Sequence, residues 1–220
     1  MKTLIFGLTA WLLSAVAATA QDPGSVVSDR GDIHFVIGWQ NLHKQQEVQT
    51  FGGDWLNNIF YGGAGAGWYW NDNLKTQVDF GAGTRGRQYR YEPITVNGQT
   101  TATSSRVSVR QQSLAVAQQY QFFKNQWFHP HVGAGVDVAR ETTIEDYDPV
   151  VVFDNSGRSS RQVTPARTEG PDHRIILRPF AETGFKAYMT RRSFFTADTR
   201  LMFRHGIDEV LLRIGFGVDF

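Results

Sequence analysis

Residues 210–220 read Val210-Leu211-Leu212-Arg213-Ile214-Gly215-Phe216-Gly217-Val218-Asp219-Phe220. In an extended chain, Val210, Leu212, Ile214, Phe216, Val218 and Phe220 fall on one side. Leu211, Arg213, Gly215, Gly217 and Asp219 fall on the other. A period of two marks a strand with two unlike faces. One face here is wholly apolar, and the other is mostly small or charged.

The same alternation recurs up the chain. Ile33, Phe35, Ile37 and Trp39 alternate with Asp32, His34, Val36 and Gly38. Residues 59–70 set Phe60, Trp68 and Trp70 against Tyr61, Tyr69 and glycines. Residues 74–85 set Leu74, Val78 and Phe80 against Lys75, Asp79, Gly81 and Gly83. Further stretches at 113–122, 127–139, 175–188 and 194–204 behave alike, with Asp137, Arg178, Glu182, Lys186, Asp198, Arg200 and Arg204 on the polar face. The pattern therefore predicts eight strands, and no helical period survives beyond residue 20.

Three connections are tight and polar: Asn71-Asp72-Asn73, Lys124-Asn125-Gln126 and Thr190-Arg191-Arg192. Three others are long, at about 42–57, 86–106 and 140–173, and a fourth around Gly206-Ile207-Asp208 is short. Short turns at one end and mostly longer loops at the other suit an all-β, eight-stranded, antiparallel up-and-down transmembrane barrel. An even count puts both chain ends at the short-turn end. Two loops contain further strand signals. Asn97-Gly98 predicts a hairpin, but its register, continued, sets Leu114 opposite Gly81, which belongs inside. Either one facing assignment fails or a bulge intervenes, with Pro93 its candidate position. Val150-Val151-Val152-Phe153 before Asp154-Asn155-Ser156-Gly157 suggests a second projecting hairpin. Were it to enter the membrane, the barrel would have ten strands; Arg158, Arg161 and Arg167 on its return arm oppose that.

The 220 residues suffice for one domain, and 22 basic against 21 acidic side chains give no general attraction to nucleic acid. The absence of cysteine excludes a disulfide scaffold, a thiolate metal site and a cysteine nucleophile. Residues 1–20 read as a signal peptide: Met1-Lys2, an apolar stretch from Leu4 to Ala18, then Ala18-Thr19-Ala20, with cleavage expected after Ala20. Residues 21–29 form a short leading segment, and 30–220 the barrel domain.

A soluble eight-stranded barrel would hide the apolar face. Three features favour the inverse, membrane arrangement. Aromatics gather beside the short turns: Trp68, Trp70, Trp127, Phe128, Phe194, Phe195 and Phe220. The opposite face repeats glycine next to charge, as a narrow lumen requires. The chain also stops on an aromatic that ends a strand.

With these residues in hand, the chain resembles the small outer-membrane β-barrel proteins of Gram-negative bacteria, the OmpA-like and OmpX-like barrels. The resemblance rests on residues 61–74 (Tyr61-Gly62-Gly63-Ala64-Gly65-Ala66-Gly67-Trp68-Tyr69-Trp70-Asn71-Asp72-Asn73-Leu74), on residues 131–137 and on residues 214–220. It implies an outer-membrane location with both termini periplasmic and the long loops extracellular. It also implies that Phe216, Val218 and Phe220 form an assembly signal read by the barrel assembly machinery. Further implied partners are outer-membrane lipid and lipopolysaccharide, without nucleic acid or cofactor, for a chain expected to be monomeric.

Enzymes exist on such scaffolds, but no histidine here is followed two residues later by serine, as the lipid A deacylases require. His205 and Asp208 lack a clearly placed serine. His129 and His131 point the same way, yet a third metal ligand is missing. Arg85, Arg87, Arg90, Arg106, Arg110 and Arg174, with Arg140 and Arg178, crowd the loop half, where guanidinium groups suit lipopolysaccharide phosphate. The expected function is a non-enzymatic barrel with a structural or surface-interaction role. The alternatives are a small channel for hydrophobic or ionic solutes and a lipid A-modifying enzyme. Asp79, Glu182, Asp198, Arg200 and Arg213 fall near mid-height of the lumen, where a network with Arg213 bound to a carboxylate is expected. Glycines 63, 65, 67, 81, 83, 133, 135, 215 and 217 argue the other way, for a water-filled thread.

Overall fold

A computed structural model describes residues 31–43, 55–96, 99–122, 127–153 and 160–220. The expected signal peptide, the segment 21–29, the Lys124-Asn125-Gln126 turn and the Asn97-Gly98 turn lie outside the described residues. Every element among the described residues is a strand: β1 (Gly31–His43), β2 (Trp55–Tyr69), β3 (Leu74–Gly83), β4 (Gly86–Val96), β5 (Gln99–Gln121), β6 (Phe128–Tyr147), β7 (Val150–Phe153), β8 (Ser160–Thr164), β9 (Arg167–Tyr188), β10 (Ser193–Phe203) and β11 (Ile207–Asp219).

Eight of them close an antiparallel ring in the order β1, β2, β3, β5, β6, β9, β10, β11, with β11 returning to β1. Closure satisfies the edge groups that an open sheet would leave unpaired in lipid. Backbone bonds between Gly31 and Phe220 (3.1 and 2.9 Å) finish the seam at the turn end. Register partners followed around the ring from Asp32 pass through Gly67, Gln77, Ala117, Gly135, Phe180, Met202 and Glu209, and return to β1 at Leu42, ten residues further on. That stagger in eight strands corresponds to a tilt of about 40° and a backbone radius of about 8 Å.

The barrel is inverted relative to a soluble protein. Phe35, Trp39, Phe80, Ile175, Leu177 and Phe216 are exposed on the outer wall, whereas the three largest fully buried side chains are Arg178, Arg200 and Arg213. Along β11 the outward residues Val210 to Phe220 climb roughly 25 Å at this tilt, the height of an outer-membrane apolar band. Trp68, Trp70, Phe122 and Phe220 mark its turn-end border, and Trp39 and Phe60 stand towards the loop end.

The facing conflict between Gly81 and Leu114 is resolved by a bulge, and both assignments stand. Val96 pairs with Gln99, and the same register continues unbroken through Pro93 to Gly86 opposite Val109. It then slips by one across Thr84-Arg85, so that Phe80, not Gly81, faces Leu114. The bulge is therefore at Thr84-Arg85 and not at Pro93. Thr84 anchors it by taking the Phe60 amide on its hydroxyl (2.9 Å) and giving its own amide to the Phe60 carbonyl (2.7 Å).

The further strand signals in two long loops are borne out, and the eight-strand count stands. Much of the second and third long loops is sheet: β4, β5, β6 and β9 run on beyond the apolar band as a four-stranded wall. The ten-strand alternative fails because β7 and β8 pair only with each other, as a separate two-stranded sheet.

Candidate functional site

The inward residues of the ring form stacked layers. At the turn end Asp32, on β1, accepts Lys75 (2.8 Å), Lys186 (3.2 Å) and the Tyr69 hydroxyl (2.9 Å). Lys186 also reaches Asp219 (2.5 Å) and the Tyr69 hydroxyl (2.8 Å), the latter on the opposite wall.

At mid-height Asp79 is the hub. It accepts hydrogen bonds from Arg200 and from Gln77 (2.9 Å), and lies 2.8 Å from His34 Nε2 and 3.3 Å from Arg213 Nη1. Arg200 stands on β10, directly across the ring from β3, so this pair ties opposite walls. Arg200 Nε also donates to Glu182 (2.6 Å), which takes Gln119 (2.6 Å) on its other oxygen. Arg213 Nε donates to Asp198 (2.7 Å), its register neighbour on β10. The structure thus gathers all five residues singled out for mid-height, Asp79, Glu182, Asp198, Arg200 and Arg213, into one cluster. Isolated, such charges would be prohibitive in so narrow a space; mutual bonding makes them tolerable.

Above this cluster Val36, Tyr61, Ala115, Ala117, Phe180, Met202 and Leu211 form an apolar layer. A second charged layer follows. Arg178 binds Asp137 (2.7 Å), Glu209 (2.8 Å) and Asp208 (3.1 Å), and Gln40 links Glu209 to Gln111 (2.9 Å each). Gln111 continues to Glu141 (2.9 Å), which Arg174 caps (2.9 Å).

Several inward glycines leave the room that these side chains occupy. A Cβ at Gly81 would strike the Tyr61 ring, at Gly65 the Asp79 carboxylate and His34, and at Gly67 the Lys75 stem. Arg204, expected inside, is exposed in the turn after β10, because pairing with β11 ends at Phe203. His129 and His131 do share the inner face, but no cluster of three or more potential metal-binding His, Cys, Asp or Glu residues occurs among the described residues. His131 is buried with both ring nitrogens lacking a partner, while His129 packs edge-on to Tyr188 (5.2 Å). Asp208 is engaged by Arg178, not by His205.

The loop-half arginines sort into two sets. Arg90, Arg106 and Arg174 are committed to Glu145 (3.4 Å), Asp146 (2.9 Å) and Glu141. The Arg106 guanidinium, helped by the Thr168 hydroxyl, holds the Asp146 carboxyl below the ordinary carboxylate range. Arg85, Arg87, Arg110 and Arg140 are exposed. Arg87, Arg110 and Arg140 have no ion pair among the described residues, and Arg85 acts on Asp146 only through space. Arg110 and Arg140 stand on the outer wall, four residues beyond Leu114 and two beyond Val138, immediately past the apolar band.

A wall that is apolar outside, charged inside and closed without an edge is a membrane barrel, and the family model of the outer membrane protein beta-barrel domain matches residues 6–163. The chain belongs to that family. Its place is the bacterial outer membrane. The fold is also similar to Neisserial surface protein A (12% identity, TM-score 0.52, 88% of this chain and 99% of that one) and to OprG of Pseudomonas aeruginosa (12%, 0.51, 89% and 99%). At such identities the likeness shows the fold alone. No curated protein matches the chain in sequence.

Sequence reasoning missed Gln77, Gln119, Gln40 and Gln111, the amides that link the charged layers. Glutamine on an inward position looks like ordinary polar filler; only its burial on the charged face could have flagged it.

Proposed function

We propose that this outer-membrane barrel is non-enzymatic and closed, and that it works through its outer surface. It stabilises the envelope and presents a projecting sheet to the surroundings. Both termini face the periplasm. The wall of β4, β5, β6 and β9, with the β7–β8 hairpin, stands outside the cell. The observation that carries the reading is the lumen itself: bonds between opposite walls at two heights, Lys186 to Tyr69 and Arg200 to Asp79, with an apolar layer above them. Such an interior suits neither a solute path nor a lipid-facing triad.

The unpaired outward arginines give the surface a ligand. Arg85, Arg87, Arg110 and Arg140 sit where the phosphorylated sugars of lipopolysaccharide begin, and guanidinium groups hold phosphate by paired hydrogen bonds. Arg90, Arg106 and Arg174 are spent on carboxylates and contribute shape. The test is lipopolysaccharide retained by purified protein. Combined Arg87→Gln, Arg110→Gln and Arg140→Gln should lower it several-fold, and Arg106→Gln should leave it unchanged. An equal loss in both variants would defeat this assignment. A lipid A mass spectrum that differs between cells with and without the protein would instead restore the enzyme reading.

A further inference from the structure

At the loop end the lumen opens into a cavity of about 200 Å³ that the bonded layer of Arg178, Gln40, Gln111 and Glu141 closes from below. Its polar wall carries His43, Arg174, Arg204 and His205 against two carboxylates, Glu141 and Asp208. Both carboxylates are already engaged: buried Glu141 by Gln111 and Arg174, Asp208 by Arg178. The side chains of Arg204 and His205, in the turn between β10 and β11, meet no charged partner among the described residues. Leu42, Ile176 and Ile207 supply an apolar side.

The geometry points to a binding site for a phosphate monoester, held at the mouth of the barrel by Arg204 and His205 from one side and His43 from the other. The volume equals that of about six or seven waters, enough for a phosphate and a short organic stub. Arg204, His205 and His43 have no carboxylate partner among the described residues, whereas Glu141 and Asp208 each already accept from an arginine, so the free donors favour an anion. The closed floor makes the cavity a receptor and not the entrance of a pore. This site is separate from the outward arginines: Arg204 and His205 belong to the mouth, and Arg87, Arg110 and Arg140 to the outer wall of the strands. The recognising groups are the same for a phosphate free in the medium and for one carried by a neighbouring lipopolysaccharide.

The test uses the full chain refolded in phosphate-free maltoside micelles, with inorganic phosphate as probe and the imidazole NMR signals of His43 and His205 as readout. Both signals should move saturably. Arg204→Gln should weaken the apparent affinity by about tenfold, and Arg191→Gln, in the exposed turn at the opposite end of the barrel, should leave it unchanged. Folding of each variant is checked by heat-modifiable gel mobility, and His205→Asn, another exposed turn position, provides a second weakened variant. A titration without saturation, or one that Arg204→Gln and His205→Asn leave intact, overturns the site. In nanodiscs containing lipopolysaccharide, signals already displaced and insensitive to added phosphate identify the lipid as the source. A titration like that in micelles identifies a free phosphate. Either result supports the site.

Discussion

Asp79 is where the charges of the lumen meet. Its carboxylate receives Arg200 and Gln77 and faces Arg213 and His34, all of them buried. Removing its charge takes one carboxylate partner from each of two buried guanidinium groups, leaving Arg200 with Glu182 and Arg213 with Asp198. Asp79→Asn is therefore expected to destabilise by about 3–5 kcal/mol, measured by denaturant unfolding from lipid vesicles. Glu169→Gln, in an exposed pair with Arg167, should change nothing measurable. His131 behaves in the opposite sense. Its imidazole is buried without a hydrogen-bond partner for either nitrogen, so His131→Leu should be neutral or stabilising by about 1 kcal/mol in the same assay. A loss of several kcal/mol there would mean that the imidazole has a partner. The charged face was legible in the sequence, since alternation with glycine picks it out. The hub was not. Which residues meet across a lumen depends on the ten-residue stagger, and no turn or composition encodes that.

At the scale of elements, the bulge at Thr84-Arg85 explains how β3 and β4 can both pair with the uninterrupted β5. One extra residue changes which parity faces inward, from odd numbers in β3 to even numbers in β4. Deleting Arg85 removes that extra residue and leaves every pair on both sides in register. The variant should give the heat-modifiable folded form in near-normal yield. Deleting Val78, inside β3, instead turns either inward Lys75 and Gln77 or inward Asp79 towards lipid and should abolish it. The bulge left no mark in the sequence because Gly83, Thr84, Arg85 and Gly86 are compatible with either face. Arg204 was misplaced for a related reason: alternation was counted past Phe203, where pairing ends. The last strand allows a further check. Phe216, Val218 and Phe220 point outward, and Phe220 closes the seam to Gly31. If these residues are an assembly signal, deleting Phe220 should lower assembly in cells far more than refolding in detergent. Equal losses would show that Phe220 acts through stability alone.

The whole molecule is an eight-stranded cylinder with a packed, charged interior and a taller wall on one side. Its architecture was readable because each strand separates two chemically unlike faces, and lipid demands closure. The projecting wall was only partly readable: the Asn97-Gly98 signal marked β4 and β5, while the upper parts of β6 and β9 carry mixed charge without alternation. The central claim is that the lumen is closed, by bonds between opposite walls and by the apolar layer of Tyr61, Phe180, Met202 and Leu211. Planar-bilayer recording of the refolded wild-type protein tests it most directly. The account predicts insertion without long-lived conductance steps; stable, reproducible ion channels from the wild type would contradict it.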